Sequence, residues 1–389
     1  MRILFVADGR SPTALNWISY FVEQGDEVHL VSMFPCEPDL KMESLTMVPA
    51  VFSGAAGLGG GPATRSIKRL AGAGLRTRVR QLLGPMMLKR GAGVLRNLIE
   101  EVQPDMVHAM RIPFEGMLAA KALEGVGIPL VVSVWGNDFT LHAASSRRMA
   151  KETRQVMRRA DGLHTDTQRD KELANEWGFG PGKESVVLPG GGGIRSALFY
   201  PPETPPKEAV VINPRGLRAY IRNDTFFAAI PLVLAEMPEA RFVCPAMAGE
   251  AEAEMWVEKY GLGEAVELLP MQSRAQMGEL FRRSQVVASI SEHDGTPNTL
   301  LEAMACGCFP VAGDIESLRE WLRDGENGLL VDPGSIQELA EAMLKGLRDS
   351  GLRETAATAN EGLVAERAEF DQVMARAAVF YKHFYKESM

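Results

Sequence analysis

The stretch Val286-Val-Ala-Ser-Ile-Ser-Glu-His-Asp294-Gly-Thr-Pro-Asn298-Thr-Leu-Leu-Glu302-Ala-Met-Ala-Cys-Gly307-Cys-Phe-Pro-Val311 reads as a strand, a loop, a helix and a second strand. Val286 to Ile290 is a short β-branched run of strand type, and Phe309-Pro-Val311 is another. Between them, Thr296 is a good N-cap and Pro297 suits the first helical position, so the helix is expected to open there. Leu301, Met304 and Ala305 share one helical stripe that can bury on a sheet. A helix joining two strands is the unit from which parallel sheets are built.

The same rhythm runs in both directions from this unit. Upstream lie Ile3–Ala7, Val28–Val31, Met106–His108, Leu130–Val134, Gly162–His164 and Val186–Leu188. The second half offers Val210–Ile212, Arg241–Cys244, Val266–Leu269 and Gly328–Val331 in addition. Between the two sets sits Pro201-Pro-Glu-Thr-Pro-Pro206, whose fixed φ angles disfavour both helix and central strand and read as a linker. The expectation is an α/β protein with two Rossmann-like, doubly wound domains facing a central cleft, because such sheets bind ligands beyond the carboxyl ends of their strands. A length of 389 residues fits two cores. The opening turn Ala7-Asp-Gly9-Arg-Ser-Pro12 lacks Gly-x-Gly-x-x-Gly, and no Gly-x-x-x-x-Gly-Lys-Ser/Thr occurs, which argues against dinucleotide oxidoreductases and P-loop nucleotidases. Beyond Leu352 the pattern is helical and ends in Phe370, Phe380, Tyr381, Phe384 and Tyr385, a terminal helix aromatic enough to dock on something.

Composition bounds the function further. Cys36, Cys244, Cys306 and Cys308 are too few and scattered for a disulfide framework, and Cys306-Gly-Cys308 has no second pair at zinc spacing, so packing cysteines and a reducing cytoplasm are expected. No leader-like segment precedes Met1-Arg2-Ile3, and no apolar run reaches the roughly 18 residues of a membrane span. The net charge of −8 hides an asymmetry. No acidic residue lies between Glu43 and Glu100, whereas Arg65, Lys68, Arg69, Arg76, Arg78, Arg80, Lys89, Arg90 and Arg96 are basic. Interleaved with leucines, residues 65–96 could rest on an anionic membrane or hold an acidic acceptor, or form a solvated helical face with a glycine-rich loop. No nucleic-acid partner is expected: aromatic interleaving is sparse and the chain is acidic.

The helix start is where chemistry gathers. The backbone N–H groups of Asn298 and Thr299 have no intrahelical partners and sit at the positive end of the helix dipole, which suits a diphosphate. Glu302 lies roughly 7 Å further along the axis at about 1.5 Å per residue, an offset like that from phosphate to ribose. An acid in so apolar a run needs hydrogen-bonding partners, either two ribose hydroxyls or a neighbouring Arg. Asp294 could meet sugar hydroxyls from the other side.

Asp294 to Glu302 resembles the Glu-x7-Glu segment of the retaining glycosyltransferases of family 4, which have the GT-B fold. Leu301–Val311 and Asp324-Gly-Glu-Asn-Gly-Leu-Leu-Val-Asp-Pro333 match that family strongly, Val107-His108 and Val134-Trp-Gly-Asn-Asp138 moderately, and Pro189-Gly-Gly-Gly-Gly-Ile194 more weakly. The resemblance implies Glu302 on the donor ribose and Asp294 on the transferred sugar, with Asp standing where the family has Glu. It implies that Arg215 and a second cation, Arg222 or alternatively Arg218, grip the diphosphate, with Gly9 also on the donor. His108 would be the active-site histidine near the sugar or acceptor, although a His there can equally be a structural hydrogen-bonding residue; His164 keeps that second reading. Trp135, Asn137 and Asp138 would face the acceptor, Asp138 orienting a hydroxyl or capping the next helix. The implied domains are 1–195 for the acceptor, 196–369 for the donor and a helix at 370–389 packing back toward the first. The implied reaction moves a hexose-type sugar from a UDP-sugar or GDP-sugar to a hydroxyl acceptor, lipid-linked or not, with retention and with no cofactor. No metal is expected, since no Asp-x-Asp occurs. The rival readings are a sugar-nucleotide epimerase of the same architecture and a non-catalytic sugar-nucleotide-binding protein.

Overall fold

The β-branched runs read from the sequence all form strands that pair in parallel. In the computed structural model, which describes residues 1–48, 88 and 90–385, they build two sheets. The first holds β1 (Arg2–Ala7), β2 (Glu27–Ser32), β3 (Ser44–Met47), β4 (Met106–Ala109), β5 (Leu130–Val134), β6 (Gly162–Thr165) and β7 (Glu184–Val187), in the order β3-β2-β1-β4-β5-β6-β7. The second holds β8 (Val210–Ile212), β9 (Arg241–Cys244), β10 (Val266–Leu268), β11 (Val286–Ser289), β12 (Phe309–Gly313) and β13 (Leu329–Val331), in the order β10-β9-β8-β11-β12-β13. In each sheet the winding reverses once, between β1 and β4 and between β8 and β11, so the loops after those strands leave the sheet side by side. Strand β3, absent from the sequence reading, is a half-exposed edge without the apolar run that marks the buried strands.

The chain forms two compact units, Met1–Gly193 with Asp371–Met389, and Ile194–Phe370. The crossing at Gly193 is made by Gly191, Gly192 and Gly193 at φ 72°, 82° and 87°, a region that L side chains rarely adopt. The Pro201–Pro206 stretch therefore belongs to the second unit. Each sheet is covered on its faces by helices. Leu4, Val6, Val107, Val132 and Leu163 centre the core on one face of the first sheet. In the second unit, Val211, Phe242 and Val311 belong to one core cluster, and Ile212 and Val287 pack with Leu300 and Met304 in another. The helix Phe370–Tyr381 returns to the first unit, where the Tyr381 ring stacks on Phe21 with centroids 4.6 Å apart.

Candidate active site

In the second unit the loop after β8 is tied down before it reaches the switch point. Asn213 Oδ1 accepts from the Arg215 backbone N–H, Asn213 Nδ2 donates to Asn223 Oδ1 at 2.9 Å, and Asn223 Nδ2 donates to the Gly216 carbonyl at 3.0 Å. The buried Arg215 guanidinium then donates to Asp294 Oδ2 at 2.5 Å and to Thr299 Oγ1 at 3.2 Å. One side chain thus joins the loop after β8, the loop after β11 and the first turn of the helix Asn298–Ala305. Asp294 is fixed from behind by Ser317 Oγ, which donates to its backbone carbonyl.

The helix opens one residue later than its sequence suggests. Pro297 is the N-cap, and the Thr296 hydroxyl accepts from Trp321 Nε1 at 2.9 Å instead of capping the helix. That leaves the turn uncapped: among the described residues no acceptor meets the N–H groups of Asn298 or Thr299. Arg215 Nε, Asn298 Oδ1 and Ser291 Oγ are buried atoms without a hydrogen-bond partner among the same residues. Each such atom costs about 1–3 kcal/mol unless a ligand or water satisfies it. Two amides, a guanidinium edge and an amide oxygen are thus concentrated where the sequence expected a donor.

Glu302 is buried one turn further on, and its Oε1 accepts from Arg274 Nη2 at 3.1 Å. Burial raises its pKa, and Arg274 opposes the rise. The salt-bridge alternative is therefore present in the structure, on one carboxylate oxygen. Arg222 is engaged more fully: Nε and Nη2 donate to Asp224 and Nη1 to Glu292 at 2.7 Å, bonds that raise its pKa. Arg218, the alternative, is exposed in the same loop.

In the first unit Gly9 follows β1, and its N–H donates to Ser32 Oγ at 3.1 Å. A Cβ there would stand 2.4 Å from Cys36 Sγ. His108 corrects the sequence reading. It lies within β4, not beyond it, and is wholly buried. Nδ1 meets the Tyr381 hydroxyl and Nε2 meets Ser133 Oγ at 2.8 Å. The chain of bonds continues from Ser133 Oγ to His164 Nδ1 at 2.8 Å and from His164 Nε2 to the Leu188 carbonyl at 3.0 Å. Trp17 Nε1 can only donate, and Leu188 O can only accept, so the direction of every bond between them is fixed. Tyr381 donates to His108, His108 to Ser133, Ser133 to His164, and both imidazoles are neutral with the proton on Nε2. Burial lowers both pKa values, that of His164 to about 4. A ring with no exposed edge and both nitrogens bonded fits the second of the two readings, a structural hydrogen-bonding residue. Strand alternation puts His108 on the covered face, with Ser133 and His164 on neighbouring strands.

Asp138 is also wholly buried. It accepts from Arg111 Nε at 2.8 Å and from the N–H groups of Ile112 and Trp135, while Asn137 Oδ1 accepts from Arg111 Nη2 at 2.6 Å. Burial raises the Asp138 pKa, with Arg111 opposing. These two residues therefore hold the partly exposed Arg111, which the sequence reading missed, and Asp138 does not cap the helical turn that follows it. Trp135 Nε1 has no acceptor among the described residues. Arg274 and Tyr381 were missed too, because each acts on a residue far away in sequence. A cavity of about 900 Å³ lined by Arg319, Trp321, Asn327, Leu352 and Arg367 lies elsewhere in the second unit and includes none of the expected residues.

Among the described residues no cluster of three or more His, Cys, Asp or Glu is placed to hold a metal ion. Cys306 and Cys308 are buried, and burial pushes the Cys306 thiol up to about 12. No described helix is long and apolar enough to cross a membrane. Of the basic stretch 65–96, residues 65–87 and 89 lie outside the described residues.

Comparison with known proteins bears on the family and the fold. Residues 8–191 match the model "Glycosyl transferase 4-like domain" and residues 199–362 match "Glycosyl transferases group 1". The whole chain superposes on sucrose-phosphate synthase from Thermosynechococcus elongatus with a TM-score of 0.76 and 15% identity, covering 98% of this chain and 99% of that one. The chain belongs to the GT-B glycosyltransferases. Anabaena HepE, solved with UDP and glucose, is a further structure of this fold, at a TM-score of 0.74 and 16% identity, covering 98% of this GT-B chain and 100% of HepE. The D-inositol 3-phosphate glycosyltransferase of Rhodococcus jostii is 26% identical over 212 residues, 51% of this chain and 47% of that protein. The match thus spans about half the length of that relative.

Proposed function

We propose that this GT-B chain moves a hexose-type sugar from a UDP-sugar or GDP-sugar to a hydroxyl-bearing acceptor, with retention of configuration and without a metal ion. The observation that carries the reading is the switch-point cluster of the second unit: an uncapped helix start beside Arg215 Nε and Asn298 Oδ1, none of them satisfied by the described residues. The diphosphate sits at the amides of Asn298 and Thr299 and against Arg215, the ribose at Glu302 and the sugar near Asp294. Cationic and dipolar donors stabilise the charge that builds on the leaving diphosphate. The bond between the anomeric carbon and the phosphate oxygen breaks, the acceptor oxygen bonds to the same face, and the acceptor proton passes to the leaving diphosphate. Arg222 reaches the donor only by exchanging Asp224 or Glu292 for phosphate. On the acceptor side, Trp135 and Arg111, the latter set by Asn137 and Asp138, replace His108 as the candidate contacts, and Gly9 shapes the turn after β1.

HepE's complex makes UDP-glucose the first donor to try, and the relative named for inositol 3-phosphate adds a phosphorylated polyol to the acceptor panel. A lipid-linked acceptor would use residues 65–96 as a peripheral anchor at the cytoplasmic membrane face; replacing Arg76, Arg78 and Arg80 by Glu then abolishes co-sedimentation with anionic vesicles. The deciding experiment is a thermal-shift panel of UDP, GDP, ADP and their sugars in EDTA. A donor at a hundredfold its Kd stabilises the chain by about 2.7 kcal/mol. A flat response to every nucleotide would overturn the reading, and interconversion of sugar nucleotides without acceptor would turn it toward an epimerase.

A further inference from the structure

Glu302 has two oxygens and only one is taken. Oε1 accepts from Arg274 Nη2 at 3.1 Å, and among the described residues Oε2 has no hydrogen-bond partner. Arg274 is itself well placed. It is the first residue of the helix Arg274–Arg282, whose start is locked by a capping box between Ser273 and Gln276. Its guanidinium also lies 5.3 Å from the centroid of the buried Phe199 ring. Backbone and side chain are therefore both constrained, and the cation approaches Glu302 from a different helix than the one carrying the carboxylate.

We propose that Arg274 is a positioning residue for the donor: it holds Glu302 ionised through Oε1 and turns Oε2 toward the ribose hydroxyls. The inference rests on the reading of Glu302 as the ribose carboxylate. A carboxylate in an apolar site tends to take up a proton, and a neighbouring cation prevents this. An ionised Glu302 accepts from two hydroxyls, whereas a protonated one accepts less and must donate. Among the described residues, the titratable neighbours of Glu302 are Arg274 and, one turn along its own helix, the Cys306 thiol, against which Arg282 lies. Of these only Arg274 lowers the Glu302 pKa, so its removal leaves burial unopposed.

The test uses the full chain and UDP-glucose, GDP-mannose and ADP-glucose, whose diphosphates do not titrate near neutrality. Calorimetric Kd values are measured between pH 6 and 8.5 for the wild type, Arg274→Met, Arg274→Lys and Glu302→Gln with whichever donor binds. The wild type is expected to be flat. Arg274→Met should bind at least tenfold more weakly at pH 6 and recover toward pH 8.5, Arg274→Lys should restore the flat profile, and Glu302→Gln should be weak at every pH. If Arg274→Met matches the wild type, or is weaker by the same factor at every pH without rescue by Lys, Arg274 is no more than a structural partner and the inference fails. If Glu302→Gln binds as the wild type does, the ribose reading itself fails. If no donor binds the wild type, both fall together.

Discussion

At the scale of single residues, space and hydrogen-bond capacity decide what the site tolerates. Gly9 leaves no room for a methyl group, so Gly9→Ala should destabilise the first unit by about 1–3 kcal/mol, as overpacking does. Because the obstructing atom is Cys36 Sγ, adding Cys36→Ala should recover most of that loss in urea titrations; no recovery would mean the backbone is at fault. Arg215 bonds Asp294 and Thr299 with two nitrogens, and its third has no partner among the described residues. Arg215→Lys keeps the charge but cannot fork, and is expected to lower kcat/KM at least tenfold while shifting Tm by no more than a few degrees. Asp294 and Glu302 could be singled out from the sequence because they stand at fixed offsets from a helix start, whereas Arg215 was singled out only through the family resemblance. Arg274 was not, since its pairing with Glu302 bridges 28 residues and two helices. His108 was misread because a His at the end of an apolar run looks the same whether its ring faces solvent or core.

Among the elements, the helix Phe370–Tyr381 depends most on one atom. The Tyr381 hydroxyl accepts from Trp17 Nε1 at 2.8 Å and donates to His108, so Tyr381→Phe strands two buried groups. The expected loss is roughly 2–4 kcal/mol by urea unfolding, at about 1–3 kcal/mol per stranded group. The same hydrogen-bond chain makes the first unit sensitive to acid. His164 titrates at about 4 when folded and near 6.5 when unfolded, so the unfolded state binds more protons between those values. Its contribution is complete above pH 6.5 and is lost as pH falls toward 4, on the order of 3 kcal/mol in all. Asp138 and Glu302, raised by burial, act with the opposite sign from the ordinary carboxylate range upward. The informative measurement is therefore the difference between wild type and His164→Gln: the wild-type stability should fall more steeply from pH 6.5 to 4.5, and parallel curves would refute the assignment. Strands were legible here through their β-branched runs, whereas β3 escaped because an edge strand needs no apolar run. The helix start was misplaced by one residue because Trp321, which draws Thr296 away from capping, is 25 residues distant.

On the scale of the whole molecule, the two units have separate cores, and the second is one continuous segment, Ile194–Phe370. That segment expressed alone should fold cooperatively and keep its hydrogen-exchange protection. A chain ending at Phe370 should in contrast lose protection selectively in residues 1–193, where Trp17, Phe21 and His108 would be uncovered. Alternating strands and helices made two parallel sheets legible from the sequence. They say nothing of what the aromatic terminal helix covers; it is the family resemblance that implies a helix at 370–389 packing back toward the first domain, and in the structure the first unit is assembled from both ends of the sequence. That arrangement sets an order on synthesis. The ribosome reaches Tyr381 only after residues 194–370 have been made, so the second unit can finish folding while the first still waits with its Trp17 face bare. Residues 1–193 are thus translated before residues 194–370 but completed after them, and chaperones or aggregation have their longer opportunity there.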